Sequence, residues 1–429
     1  MCIRDRFPSA SFAWKAHQER FLKNQDILSE FKIRTSIGST GNDRIDSYRA
    51  LSRLDKAYYS NFNGDNSDLG LAPSEIANPN LKWETTYQYD AGLDIQLLRN
   101  RIGLTADVYY KDTHDMLLRA DVPGQSGSYK QWQNIGRISN KGFELSITTT
   151  NIATKNFVWK SSFNFNVNRN NVESLGSVSS IPVSVNGGWI TEVGRVLVGH
   201  PIGSGWGYVF DGIYQTDDFE ADGKTLKAGV TKISGITSKP GDMKYKDLSG
   251  DGLVDPQKDK TIISNSQPKN FGGFSNSFTY KNFDLSIFIQ WSYGNQVMNL
   301  GRYRLEGYSP YYNVSSEYWQ NAWTPSNPTN SYPSIMGNGK VESSSYFVED
   351  ASYLRLKNVV LGYSLDSKLC KKLRIKSAKV YLTGDNLLTL TKYTGFDPEV
   401  SYYDKLMAGV DNISYPKSYT FTLGCRLSF

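Results

Sequence analysis

The 429-residue chain predicts an all-β fold, an antiparallel β-barrel that spans a membrane with long loops at one end. Three observations predict it. Apolar residues recur at every second position over strand-length segments, the connections between those segments alternate long and short, and aromatic residues make up 13 % of the chain. Aromatic and β-branched residues favour strands. A barrel with alternating faces hides its apolar surface from any hydropathy average.

The last segment is the clearest. Tyr419, Phe421, Leu423, Cys425, Leu427 and Phe429 share one parity, and Thr420, Thr422, Gly424, Arg426 and Ser428 the other. Period 2 over that length describes a strand with one greasy face, and about 9–11 residues is what crosses a tilted bilayer. Arg426 at the lipid midplane would cost about 2–4 kcal/mol, so Arg426 is assigned inward and the parity of Phe421, Leu423, Leu427 and Phe429 outward.

Other segments repeat the pattern. Ile102, Leu104, Ala106, Val108 and Tyr110 oppose Arg101, Gly103, Thr105, Asp107 and Lys111. Phe157, Trp159, Phe163, Phe165 and Val167 oppose Lys160, Ser162, Asn164 and Asn166. Phe283, Leu285, Ile287, Ile289, Trp291 and Tyr293 oppose Asp284, Ser286, Gln290 and Ser292. Around Asn358 the apolar parity switches, and a β-bulge there accounts for the switch. In all, about thirteen strands are expected, at 7–17, 31–41, 86–97, 102–114, 134–148, 157–169, 188–197, 202–214, 271–280, 283–296, 350–364, 376–388 and 417–429.

The long connections are 42–85, 115–133, 170–187, 215–270, 297–349 and 389–416; the short ones include Leu98–Arg101, Asn151–Asn156, His200-Pro201 and Lys281-Asn282. Short turns on one side and long loops on the other characterise outer-membrane barrels. An odd number of antiparallel strands cannot close, so further strands are expected upstream. Residues 1–6 lack the apolar core of a signal peptide and read as a non-native leader, leaving 7–429 as the C-terminal part of a barrel.

Other classes are disfavoured. No stretch approaches the roughly 18 apolar residues of a membrane helix. The net charge of +6 is spread through the chain, without the basic stripe of a nucleic-acid site. Cys2, Cys370 and Cys425, and His17, His114 and His200, lack metal-ligand or disulfide spacing. Nucleophile-elbow and Walker motifs are missing, so catalysis is not expected.

Several separate motifs carry a resemblance: Asn78-Pro-Asn-Leu-Lys-Trp-Glu-Thr-Thr86, Asn140-Lys-Gly-Phe-Glu-Leu145, Ser352-Tyr-Leu-Arg-Leu-Lys-Asn-Val-Val-Leu-Gly-Tyr363, and Gly384-Asp-Asn-Leu-Leu388 running into Tyr393-Thr-Gly-Phe-Asp-Pro-Glu399. In this order they resemble the SusC/RagA family of TonB-linked outer-membrane transporters, from about Phe7 to Phe429. The resemblance implies a barrel of about 22 strands within the class of large plugged transporters. An N-terminal plug and a TonB-contacting segment would lie outside this chain. It further implies a SusD-type surface lipoprotein as partner and import of oligosaccharides or peptides in Bacteroidota. A passive porin or adhesive barrel is the competing reading, and a secreted carbohydrate-binding or hydrolytic β protein a third.

Four sets of residues are candidate sites. Asp247, Ser249, Asp251 and Asp255 sit at alternate positions around Gly252, the spacing of a structural calcium loop; Lys258 stands where an EF-hand has its bidentate Glu, and Asp259 follows. Tyr311, Tyr312, Tyr318, Trp319 and Trp323 cluster in one loop, as sugar-stacking rings or as packing between loops. Trp159, Trp291 and Tyr293 suit interfacial girdles. Phe429, a terminal aromatic on an amphipathic last strand, resembles the signal read by barrel-assembly machinery.

Overall fold

The computed structural model describes the chain except residues 1–4, 23–25, 44–47, 61–66, 127–129, 186–191, 307–312, 336–341, 401–405 and 407. Among the described residues, eleven strands form one large sheet in sequence order. They are β1 (Ser9–Lys15), β2 (Leu28–Asn42), β3 (Glu84–Leu97), β4 (Ile102–Asp121), β5 (Lys130–Ala153), β6 (Phe157–Leu175), β7 (Asn270–Tyr280), β8 (Phe283–Tyr293), β9 (Tyr353–Ser364), β10 (Ser377–Thr391) and β11 (Thr420–Ser428). Every register resolved between neighbours is antiparallel. Contacts divide the chain into two compact units, one of residues 1–145, 168–180 and 198–200 and the other of the remainder.

Two expected strands are corrected. The described residues of 188–197, and those of 202–214, do not join the large sheet. Gly194–Leu197 and Ser204–Tyr208 instead lie in a four-stranded sheet with Ser180–Val183 and Lys260–Asn265, and Phe210–Ile213 pairs with Met243–Tyr245. The reason is burial. Ser204, Gly205, Gly207 and Tyr208 are all buried, on both parities, so this strand has no face left for lipid. With those two removed, the alternation of connections becomes more regular: β6 and β7 are joined by 176–269, β7 and β8 by 281–282, β8 and β9 by 294–352.

The parity switch near Asn358 is a bulge. Asn358 pairs with Phe288 and Leu356 with Ile289, leaving Lys357 unpaired in β9. On the other side, Asn358 pairs with Asp385 and Leu356 with Leu388. Asn386, at φ 54°, takes the left-handed conformation this requires of β10, which Asn tolerates better than most residues.

Charges on the polar face pair across a glycine. Arg34 of β2 donates to Asp94 of β3 and reaches Asp107 of β4, both at 2.8 Å. Gly92, which lies between Arg34 and Asp107 in the register, leaves room for that crossing. Asp284 of β8 and Lys379 of β10 meet at 2.8 Å in the same way over Gly362, where a Cβ would lie 2.5 Å from the lysine chain. Pairing of this kind satisfies charge without any group turning to the apolar face.

Candidate functional site

Beyond the long-loop ends of β7 to β11, the second unit builds a folded platform. Its core is aromatic: Tyr208 stacks on Tyr245 at 4.9 Å, and Ile213, Tyr214, Met243, Met298, Tyr318, Trp323 and Phe347 are buried. Burial pushes the Tyr214 phenol up to about 12. It raises those of Tyr245 and Tyr318 as well, so these rings act as neutral packing groups.

A web of buried polar groups ties the loops to the wall. Arg355 of β9 is 2 % exposed and donates to Thr389 Oγ1, Glu399 Oε2 and Asp397 Oδ1 at 2.9, 2.9 and 2.6 Å. Its guanidinium also lies 5.2 Å from the centre of the Tyr353 ring. Lys417 and Lys357 add positive charge at Glu399. Burial alone would raise the Asp397 carboxyl, but hydrogen bonds from Arg355 and the Glu399 amide hold it below the usual carboxylate range. Nearby, Tyr393 donates to Asp411 Oδ2 at 2.6 Å, and Met298 pairs in parallel with Val410.

A second knot surrounds α1 (Leu300–Glu306). Arg302 donates twice to Glu306 at 2.8 Å, lies 4.8 Å from the centre of the Tyr346 ring and reaches Glu349 at 3.4 Å. Tyr346 donates to Glu306 Oε2 at 2.7 Å, and Thr394 donates through both its amide and its hydroxyl to Glu349. Segments 294–352 and 392–419 are thus cross-tied. None of Arg355, Asp397, Arg302 and Glu306 was singled out from the sequence as a site residue. Arg355, Asp397 and Glu399 were in view as letters of two motifs, but no periodicity reveals that those motifs meet.

The first unit shows the same use of motifs. Asn78 donates to the Trp132 carbonyl at 2.7 Å, and Asn134 accepts from the Lys82 amide at 2.9 Å. With Leu81 buried, the 78–86 motif is pinned onto β5. In the Asn140 motif, Gly142 lies directly under the ring of Tyr109, whose hydroxyl donates to Asn168 at 3.0 Å.

The sequence-predicted sites separate. In the Asp247 loop the carboxylates serve the loop's own backbone. Asp247 accepts from the Gly250 and Gly252 amides at 2.6 and 2.7 Å and from the Ser249 hydroxyl at 3.1 Å. The Gly252 amide is the main influence holding the Asp247 carboxyl low. Asp259, fully buried, accepts from the Leu248, Ser249 and Asp255 amides at 2.7–2.8 Å. Asp255 accepts from the Gln257 amide. Lys258 donates to Asp251 at 2.7 Å and lowers its carboxyl. Among the described residues no three His, Cys, Asp or Glu side chains form a group that could hold a metal ion.

Tyr311 and Tyr312 lie outside the described residues. Tyr318 is buried, and so is Trp323, which donates to Gln215 at 2.8 Å. As a substrate contact Trp323 is therefore corrected to core. Trp319 is 67 % exposed on α2 (Ser316–Asn321) and remains available to a ligand. Trp159 donates to Asn276 and stacks on Phe278; Trp291 stacks on Phe163 and donates to Asn270. Trp159 is near the turn end of β6, and Trp291 and Tyr293 near the loop end of β8. Phe429 is 77 % exposed beside β11.

A profile of the family described as TonB dependent receptor-like, beta-barrel matches residues 4–387. The chain belongs to this family of outer-membrane β-barrels. TonB-dependent receptor P3 of Formosa agariphila is 36 % identical over 99 % of the chain and 42 % of the relative. TonB-dependent receptor SusC of Bacteroides thetaiotaomicron is 31 % identical over 99 % of the chain and 40 % of that protein. Among solved structures, the RagAB peptide importer in its open-open state superposes with a TM-score of 0.77 at 27 % identity, over 99 % of this chain and 42 % of the other. The TonB-dependent receptor is therefore of SusC/RagA type, and the chain spans under half the length of the relatives it matches.

Proposed function

We propose that this chain forms part of the wall and the surface loops of a TonB-linked importer that takes up oligosaccharides or peptides together with a SusD-type surface lipoprotein. The observation that carries this reading is the cross-tied platform at the long-loop end. A passive pore needs no such surface, whereas here one loop is held to β9 by the buried Arg355–Asp397 pair and to the other loop by the Thr394–Glu349 hydrogen bonds. Such preorganised surface suits capture and closure under a partner.

The membrane placement has support from length. From Phe283 to Tyr293 the apolar face of β8 runs along all eleven residues of the strand, about 33 Å from end to end. Tilted by 35–45°, that covers about 25 Å, the height of the apolar band in such barrels. Tyr280, Phe283 and Tyr363 then line one interface, and Trp291 and Tyr293 the other; Trp159 sits just inside the first. Phe429 would be presented to the assembly machinery on the outward face.

The test is uptake by cells whose gene carrying this sequence is deleted and then restored. Labelled oligosaccharide and labelled peptide are offered separately, with and without a protonophore. Restoration of energy-dependent uptake of one of them supports the reading and names the substrate. Uptake that a protonophore leaves unchanged makes the protein a passive pore.

A further inference from the structure

The positive charge of the second unit gathers at its turn end. The β9–β10 connection carries Lys368, Lys371, Lys372, Arg374 and Lys376 within twelve residues, against the single carboxylate of Asp366. That carboxylate accepts from the Lys368 amide as the cap of α3 (Ser367–Lys372). Two neighbouring turns add Lys155 and Lys281. They belong to one rim, because the Lys281 amide donates to the Asn156 carbonyl at 2.9 Å and the Ser364 amide to the Asn282 carbonyl at 2.8 Å. All seven basic residues are exposed, and among the described residues none has an ion-pair partner.

The flank of this rim is apolar. Leu369 and Leu373, 46 % and 55 % exposed, stand out beside the lysines of α3. Tyr280, Phe283 and Tyr363 are exposed at the adjoining strand ends, the last two in contact at 4.7 Å, and Lys281 lies 5.4 Å from the centre of the Tyr280 ring. Exposed leucines and aromatics one residue from unpaired cations match the boundary between acyl chains and headgroups. A soluble anion gives no reason for the leucines to be outside.

We propose that this rim binds the phosphate headgroups of anionic phospholipid in the periplasmic leaflet, with Leu369 and Leu373 dipping into the acyl region and Lys368, Lys371 and Lys372 on the phosphates. The proposal rests on the membrane placement above. Each cation held near an anionic surface contributes about 1 kcal/mol, about fivefold in affinity, and the effect weakens beyond the Debye length as salt rises.

The experiment uses the full-length protein carrying this sequence, purified in detergent and titrated with phosphatidylglycerol or phosphatidylcholine, with bound lipid counted by native mass spectrometry. Phosphatidylglycerol is expected to bind at least tenfold more tightly than phosphatidylcholine. The triple variant K368Q/K371Q/K372Q is expected to lose most of that preference, while K224Q/K227Q/K232Q, in segment 176–269, keeps it. Inorganic phosphate at millimolar concentration should not compete; if it does, the rim is a soluble-anion site and the proposal falls. Equal affinity for the two lipids, or binding of isolated peptidoglycan that the triple variant abolishes, overturns it too. The membrane reading is tested separately by insertion into phosphatidylcholine vesicles. A protein that inserts but shows no lipid preference refutes only this inference, and one that does not insert refutes the placement itself.

Discussion

Arg355 on β9 and Asp397 in the β10–β11 loop meet at 2.6 Å with both side chains almost wholly out of water. A buried pair of this kind is a poor source of net stability compared with apolar packing, but losing one partner strands the other, at a cost of about 3–5 kcal/mol. Arg355→Met should therefore free the 392–419 loop from the wall while leaving the strand ladder intact. Hydrogen exchange should accelerate at the amides of Tyr393 and Thr394 and stay slow in β9. Uniform acceleration through β9 would show that Arg355 holds the sheet rather than the loop.

The same pair sets an acid limit. The Asp397 carboxyl is held below its ordinary value in the folded state. A lowered carboxyl contributes stability that is complete above the unfolded value, near 3.9, and is lost as pH falls through the folded one. Limited proteolysis of the loop should stay constant from pH 7 to about 4.5 and increase below about 4. In Asp397→Asn the acid step attributable to this group should disappear.

Gly142 lies under the Tyr109 ring, and a Cβ there would fall inside the ring's contact distance. Gly142→Ala should expel the ring, break its bond to Asn168 and cost about 1–3 kcal/mol, as overpacking does. Thermal unfolding should fall in Gly142→Ala and recover partly in Gly142→Ala combined with Tyr109→Ser, which removes the ring. An unchanged midpoint in the single variant would refute the close approach.

The Asp247 loop should stand without divalent cations. Its carboxylates already accept backbone amides, and Lys258 supplies positive charge to Asp251. Chelation with EGTA should leave hydrogen exchange at Leu248, Ser249 and Asp255 unchanged. Asp259→Ala should accelerate it there, since three amides lose their acceptor and a buried unsatisfied group costs about 1–3 kcal/mol. Loosening by EGTA would instead support a structural calcium ion in the loop.

What the sequence made legible was whatever has a period. The β8 and β11 faces and the bulge beside Asn358 follow from alternation, because a half-buried strand must alternate. The segments at 188–197 and 202–214 deceived for the same reason. Gly205, Trp206 and Gly207 can flank a small soluble core as well as lipid, and alternation does not record which medium lies outside. Trp323 was misplaced because an aromatic residue in a loop says nothing of its depth. The Arg355 and Arg302 knots join positions 42 and 47 residues from their partners Asp397 and Glu349. Such meetings are a property of register and loop path, which no local pattern encodes.

β4 and β5 run 20 and 24 residues, about twice what a bilayer crossing requires. The surplus of about ten residues extends the pair about 33 Å along its axis before it turns near Pro123. A hydrogen-bonded arm of that length is a ready-made mast. A fluorophore or short epitope attached beside Pro123 would ride on a stiff support, and its height above a bilayer would test the membrane placement proposed above.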